Sequence, residues 1–170
     1  MANVDLSRIP EYFHKYVNLA SDDDLDDAFD KHQKTLLSLL KTVPKKKWNY
    51  RYAEGKWSVK EVVQHIIDAE RVFAYRALCF SRKDQTSLPS FDENLYAANS
   101  KADVRTKKDL LKELEALQRS SALLFRSFDA EQLDQTGIAS DKPVYVKGIA
   151  YILLGHALHH KNILEEKYLN

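Results

Sequence analysis

Six histidines are spread along the 170 residues: His14, His32, His65, His156, His159 and His160. Neutral imidazole is the commonest side-chain ligand for divalent first-row metals, so the placement of these residues is the first question. His156 and His160 are four residues apart. On a helix that spacing puts two imidazoles on one face, one turn apart, able to converge on one ion at about 2.1 Å each. The pair alone is weak, because chance often supplies such a spacing when histidines are numerous. Position adds weight. Both belong to an apolar stripe formed by Ile149, Ile152, Leu153, His156, His160 and Ile163. His65 sits in a second stripe of Val62, His65, Ile66, Ala69, Phe73, Ala77 and Phe80. One core-facing histidine is usually a satisfied structural residue. A buried imidazole without a partner costs a few kcal/mol, so three of them in one core point to a shared metal ion.

The other polar residues read more quietly. His159 is about 100° around the helix from His160 and falls on the flank. His32, beside the stripe of the first long helix, is the rival ligand, and His14 is expected at the surface. Cys79 is 14 residues from His65, about 21 Å along a helix axis, and reads as core filling. Asp92 is the leading candidate for a general base or a group supporting the metal site, against a plain turn-capping role. Glu70 and Arg76 are expected to form a partly buried ion pair. Gly155, in a helix interior, signals either close helix packing or space kept open beside the ion.

Four helical periodicities must position these groups. The first runs from Ser21 to Pro44 with Leu25, Phe29, Leu36, Leu39 and Val43 on one side. The second starts at Ser58, where Ser58-Val59-Lys60-Glu61 is a capping box, and continues to Phe80. The third begins near Thr106, with Leu110, Leu114, Leu117, Ser121, Leu124 and Phe128 as its stripe. The fourth extends from about Lys147 to Tyr168, and Tyr145 and Val146 give it no good side-chain cap. Residues 44–57 read as a loop whose Trp48, Tyr50, Tyr52 and Trp57 cover the bundle end. Residues 83–105 form a long connection between helices 2 and 3, and residues 1–20 an arm or short helix. The reading is an all-α four-helix bundle occupying residues 1–170 as one domain.

Composition agrees and excludes several classes. Only 4 Gly and 4 Pro are present, scarce for a turn-rich β chain, while 44% hydrophobic residues suffice for a core. A net charge of +1 gives no drive towards nucleic acid. The Lys45–Lys47 triplet reads as solvated loop, and the acidic run at residues 22–27 as a helix start complementing the macrodipole. One cysteine permits neither an intrachain disulfide nor a thiolate cluster. With neither an apolar leader nor a bilayer-length apolar run, a cytoplasmic location without membrane contact is the expectation.

Three segments together resemble the DinB-like (DinB/YfiT) proteins, four-helix bundles with a three-histidine metal site. They are Lys56-Trp57-Ser58-Val59-Lys60-Glu61-Val62-Val63-Gln64-His65-Ile66-Ile67-Asp68-Ala69-Glu70-Arg71, then Leu88-Pro89-Ser90-Phe91-Asp92-Glu93-Asn94-Leu95-Tyr96, then Gly155-His156-Ala157-Leu158-His159-His160. The Trp-Ser…His and Gly-His-x-x-His-His elements are specific only in combination, and the similarity spans nearly the whole chain. The resemblance implies His65, His156 and His160 as the metal ligands and makes a homodimer plausible. Tyr145 departs from the pattern, standing where a small hydroxyl residue is expected; that bears on capping. Characterised relatives include thiol-dependent transferases and isomerases.

Three neutral histidines would leave a divalent ion open to water or substrate. Zn²⁺ or Ni²⁺ suits imidazole best, with Mn²⁺ or Fe²⁺ tolerated. The expected function is therefore a metal-dependent enzyme acting on a small molecule, as a transferase using a low-molecular-weight thiol or as a metal-assisted hydrolase. Cys79 is too distant to supply that thiol. The competing expectation is a non-catalytic bundle whose metal is structural and whose function lies in dimer or partner contacts. A fourth protein ligand closing the site would favour the second.

Overall fold

The computed structural model describes residues 4–169. Two 3₁₀ turns, Leu6–Arg8 and Glu11–Phe13, lead into α1 (His14–Ala20), which is followed by α2 (Leu25–Thr42), α3 (Val59–Ser81) and α4 (Glu93–Asn99). Then come α5 (Lys107–Arg126), α6 (Ala130–Asp134), the strands β1 (Thr136–Ala139) and β2 (Lys142–Tyr145), and α7 (Val146–Ile163). A single π-helical stretch, Leu164–Leu169, ends the described chain.

The helix starts have identifiable causes. Asp24, rather than Ser21, caps α2 by accepting from Asp27 N–H, and Asp26 and Asp27 then sit in the positive first turn. Ser58 and Glu61 close the expected capping box, with Ser58 N–H donating to Glu61 Oε2 at 2.7 Å. Thr106 caps α5. At α7 the cap residue Tyr145 makes no side-chain cap bond, as its chemistry implies. Val146 N–H instead donates to the Gln135 carbonyl at 2.9 Å, so the backbone at the end of α6, just before the hairpin, supplies an acceptor.

The four long helices form a ring in which α3 packs on α5 and α7, and α2 packs on the same two helices. Consecutive α2 and α3 therefore lie on a diagonal, as do α5 and α7, and their connections cross the bundle ends. Beneath the first crossing Trp48 is fully buried, donating its indole N–H to the Val43 carbonyl. The second crossing holds the β1–β2 hairpin, paired Thr136 with Tyr145 through Ala139 with Lys142. Its Ser140–Asp141 turn has φ of 54° and 61°, the left-handed geometry of a two-residue hairpin loop. A four-residue strand pair lacks a helical period and is too short to show alternation, so the all-α expectation did not contain it. Gly137 on β1 lies so close to Phe80 that a Cβ would stand 2.1 Å from the ring.

The core divides into two apolar clusters. One gathers Phe29, Phe73, Phe80, Phe125 and the first half of α7. The other gathers Leu36, Leu40, Trp48, Val63, Ile67, Leu110 and Leu114. On α3 the change from the second cluster to the first falls between Ile67 and Ala69; on α7 the first cluster gives way to the second around Ala157 and Leu158. His65 and His156 occupy that boundary layer.

Candidate metal centre

α3 supplies His65 and α7 supplies His156 and His160. His65 Nε2 lies 3.0 Å from His156 Nε2, and His160 Nε2 lies 3.1 Å from the same atom. All three ligand atoms fall within 4.8 Å of one another. Bonds of about 2.1 Å at a tetrahedral angle separate nitrogens by about 3.4 Å, so the triad has the size that one ion requires. His156 Nε2 carries one proton or one lone pair, and two further inward nitrogens crowd it. An ion satisfies all three lone pairs together. Among the described residues no fourth His, Cys, Asp or Glu joins the group.

Packing holds the imidazoles in place. The Trp57 ring lies 4.7 Å from that of His65, and Phe73 and Tyr16 present their rings edge-on to His156 at 5.9 and 5.5 Å. Gly155 explains how Tyr16 gets there: a Cβ at residue 155 would stand 1.8 Å from the Tyr16 carbonyl oxygen. Close approach of the α1 backbone is thus what that glycine provides. Burial lowers the basicity of every member. His65 drops to about 4, chiefly by desolvation, with the Glu93 carboxylate opposing. His156 and His160 fall well below the usual imidazole range through desolvation and their neighbouring imidazoles. All three are therefore neutral, the state that ligates.

The triad forms the floor of a cleft of about 270 Å³. Tyr12, Phe13 and Tyr16 of the N-terminal arm wall one side, Trp57 and Phe73 another, and Phe91 and Glu93 of the long connection a third. Arg76 and Ser140 lie in the same cleft. The arm that sequence periodicity leaves undefined thus supplies three aromatic residues to the site's enclosure.

The other candidates fall elsewhere. His159 flanks the triad, its ring 5.2 Å from both Tyr16 and His160. His32 is buried on α2 with Nε2 3.5 Å from Asp23 Oδ2, away from the ligand group. His14 is not a free surface residue. Its Nε2–H donates to the Leu6 and Ile9 carbonyls at 3.0 and 2.9 Å, tying the first 3₁₀ turn and its cap to α1. Asp92 is exposed and caps α4, accepting from the Asn94 and Leu95 amides at 2.9 and 3.0 Å. Its neighbour Glu93 is the carboxylate that reaches the cleft. The Asp-Glu-Asn triplet carried that signal only as a helix start, which puts the capping residue and the next side chain in different places. The expected Glu70–Arg76 ion pair does not form. Six residues separate them on α3, some 120° apart on the helix face. Glu70 faces Ser121 of α5, while Arg76 donates to the Pro89 carbonyl and Ser140 Oγ. Cys79 is half-buried and packs against the first apolar cluster, outside the cleft.

No sequence match was found among functionally curated proteins. Among solved structures, YfiT from Bacillus subtilis matches with a TM-score of 0.74 at 15% identity, covering 97% of this chain and 91% of that one. That protein is described as "a probable metal-dependent hydrolase with an unusual four-helix bundle topology". At this identity the likeness establishes the fold alone. The DinB superfamily profile matches residues 28–164, a span that contains α3, α5, α7, all but the first three residues of α2 and all three converging histidines; the chain belongs to the DinB superfamily.

Proposed function

We propose that this protein is a metal-dependent enzyme that promotes nucleophilic attack on a small molecule bound in the histidine-floored cleft. The observation that carries this reading is the three-nitrogen convergence on a surface that opens to a cleft instead of being closed by a fourth side chain. Structural zinc sites use four protein ligands, whereas catalytic ones leave a position open. A divalent ion, Zn²⁺ or Ni²⁺ by ligand preference, supplies Lewis-acid polarisation of a nucleophile or a substrate oxygen.

The chain's own residues complete the chemistry. Glu93 lines the cleft and its charge is felt at His65, so it is placed to take the proton released by the nucleophile. Asp92 fixes the first turn of α4 and thereby the origin of the Glu93 side chain. Trp57, Phe73 and Tyr16 keep the ligand imidazoles dry and aligned. With water as nucleophile the reaction is a hydrolysis, in keeping with the description of the structural neighbour. With a small thiol it is a transfer, and that thiol comes from outside because Cys79 is not in the cleft.

Elemental analysis of tag-free protein tests the centre. Wild type should retain about one divalent ion per chain and His65→Ala nearly none; equal content in both overturns the site. In the loaded protein Glu93→Gln should lower kcat by at least tenfold with little change in metal content. Screening ester, amide and thiol-acceptor substrates against the loaded wild-type protein, with both variants as controls, separates hydrolysis from transfer.

A further inference from the structure

At the end of the cleft remote from the histidines stands a charge with no counter-ion among the described residues. Arg76 is only 6% exposed, yet its partners are the Pro89 carbonyl at 2.6 Å and Ser140 Oγ at 3.1 Å, both neutral. Among the described residues no carboxylate stands within ion-pair distance, and burial is what acts on its ionisation. A buried guanidinium remains charged at any physiological pH and needs more than two neutral acceptors for its five donors. Three separate chain segments converge to hold it: α3, the connection after it, and the hairpin turn with its two left-handed residues. The connection is itself stitched to the hairpin, since Leu88 N–H donates to the Ile138 carbonyl and Ser140 N–H to that of Leu88. A guanidinium needed only to pin those segments would more cheaply be a neutral donor.

Arg76 shares one line of α3 with His65, Ala69 and Phe73, and all four line the cleft. The 11 residues from His65 to Arg76 span about 16 Å of helix. The cleft thus has two polar ends joined by an aromatic passage: the histidines with Glu93 at one, Arg76 with Ser140 at the other. We propose that Arg76 is the docking point for a carboxylate on the substrate, so that the natural ligand is a small molecule with its reacting group at the histidine end and an anionic group about three helical turns away. The planar guanidinium fork matches a carboxylate bidentately, and Ser140 Oγ stands beside it as a further donor. The inference deepens the proposed enzymatic reading by naming the substrate class.

Two probe series test it. In Co²⁺-loaded protein, ω-mercaptoalkanoates of increasing length are titrated against ω-mercaptoalkanols of the same length. At the length that spans the cleft the acid should bind at least tenfold more tightly than the alcohol, and Arg76→Met should remove that gap. In protein shown to hold Co²⁺, equal affinity of acid and alcohol at every length, or a gap that survives in folded Arg76→Met, overturns the proposal. If Arg76→Met does not fold, Arg76→Lys decides: a point charge without the fork should shrink the gap, and an unchanged gap overturns it. In metal-free protein the same comparison is made with ω-phenylalkanoates and ω-phenylalkanols, which do not need the ion. A gap there that depends on Arg76, in protein that takes up no metal, upholds the anion site while rejecting the metal reading; no gap in either series rejects the anion site alone.

Discussion

α3 buries polar side chains on two opposite faces, and the faces treat them differently. His65 looks towards α7 and meets His156 and His160 at the floor of an open cleft. Glu70, five residues on and about 140° around the helix, looks towards α5. There both carboxyl oxygens, together with Ser121 Oγ and Gln118 Oε1 of α5, are buried without a hydrogen-bond partner among the described residues. Each face carries a desolvation cost. On the α7 face the groups are bases with lone pairs aimed at one point, so a single cation resolves them all. On the α5 face the acid resolves its own cost by holding a proton: burial pushes Glu70 up to about 7. Convergence and access, more than polarity, distinguish a candidate site from a tolerated core residue.

The contrast can be broken at either face. The largest effect should come from the metal. At a thousandfold excess of Zn²⁺ over Kd, binding adds about 4 kcal/mol, or roughly 8–16 °C in Tm for a chain of this size. His156→Ala should abolish the increment, whereas Glu70→Gln should leave it intact. The increment should also fade with acid. His65 is about 4 in the folded metal-free chain against 6.5 in the reference state, so its neutral form is favoured by folding. The stability it contributes is present above about pH 6.5 and is lost as pH falls towards 4. In the folded chain protons compete for His65 only as pH approaches 4, so metal release, followed by absorbance of a chelator dye, should occur at the acid end of that window.

Glu70 titrates with the opposite sign. Its folded value lies above the ordinary 4.5, so stability is lost as pH rises from about 4.5 through 7. The full span corresponds to about 3 kcal/mol, and Glu70→Gln should flatten most of it in denaturant titrations at pH 5 and pH 8. A Gln variant with the wild-type pH slope would mean that the carboxyl is not proton-bearing. Gly155→Ala should cost about 1–3 kcal/mol, because the new methyl meets α1 backbone rather than a yielding side-chain tip. Its damage should fall on the α7 face, weakening metal affinity through Tyr16 and His156, while the Glu70 pH slope stays as it was. The smallest effect is expected at Asp92: Ala should cost about 1 kcal/mol through the lost cap, and Asn should restore it. Loss of turnover in the Asn variant would instead give the Asp92 carboxylate a chemical part of its own.

Periodicity and capping chemistry made the long helices legible, and they carried His156 and His160 with them. A pair four apart on one helix needs no tertiary information to share a face. Ser58 and Glu61 likewise announce the start of α3 by local hydrogen bonding alone. Residues whose partners are remote in sequence were legible only in part. His65 stood out by its place in an apolar stripe, but its 3.0 Å approach to a nitrogen 91 residues away is set by the packing of α3 on α7. The hairpin, the short α4 and the α1 arm have too few residues for a period to emerge, and they contribute Ser140, Glu93 and Tyr16 to the cleft.

Side-chain type is equally silent about pairing. Glu70 and Arg76 are both acid and base on one helix, and only the positions of α5 and the hairpin decide that neither meets the other. The sequence by itself determined the long helices and the histidines that face inward, because these follow from local hydrogen bonding and period, while its motifs carried the family resemblance. The tertiary structure alone decided that three nitrogens meet at a cleft, that Glu93 rather than Asp92 lines it, and that Arg76 ends it with no counter-ion among the described residues. Those depend on which surfaces remain uncovered once the helices have packed, and no local interaction encodes that.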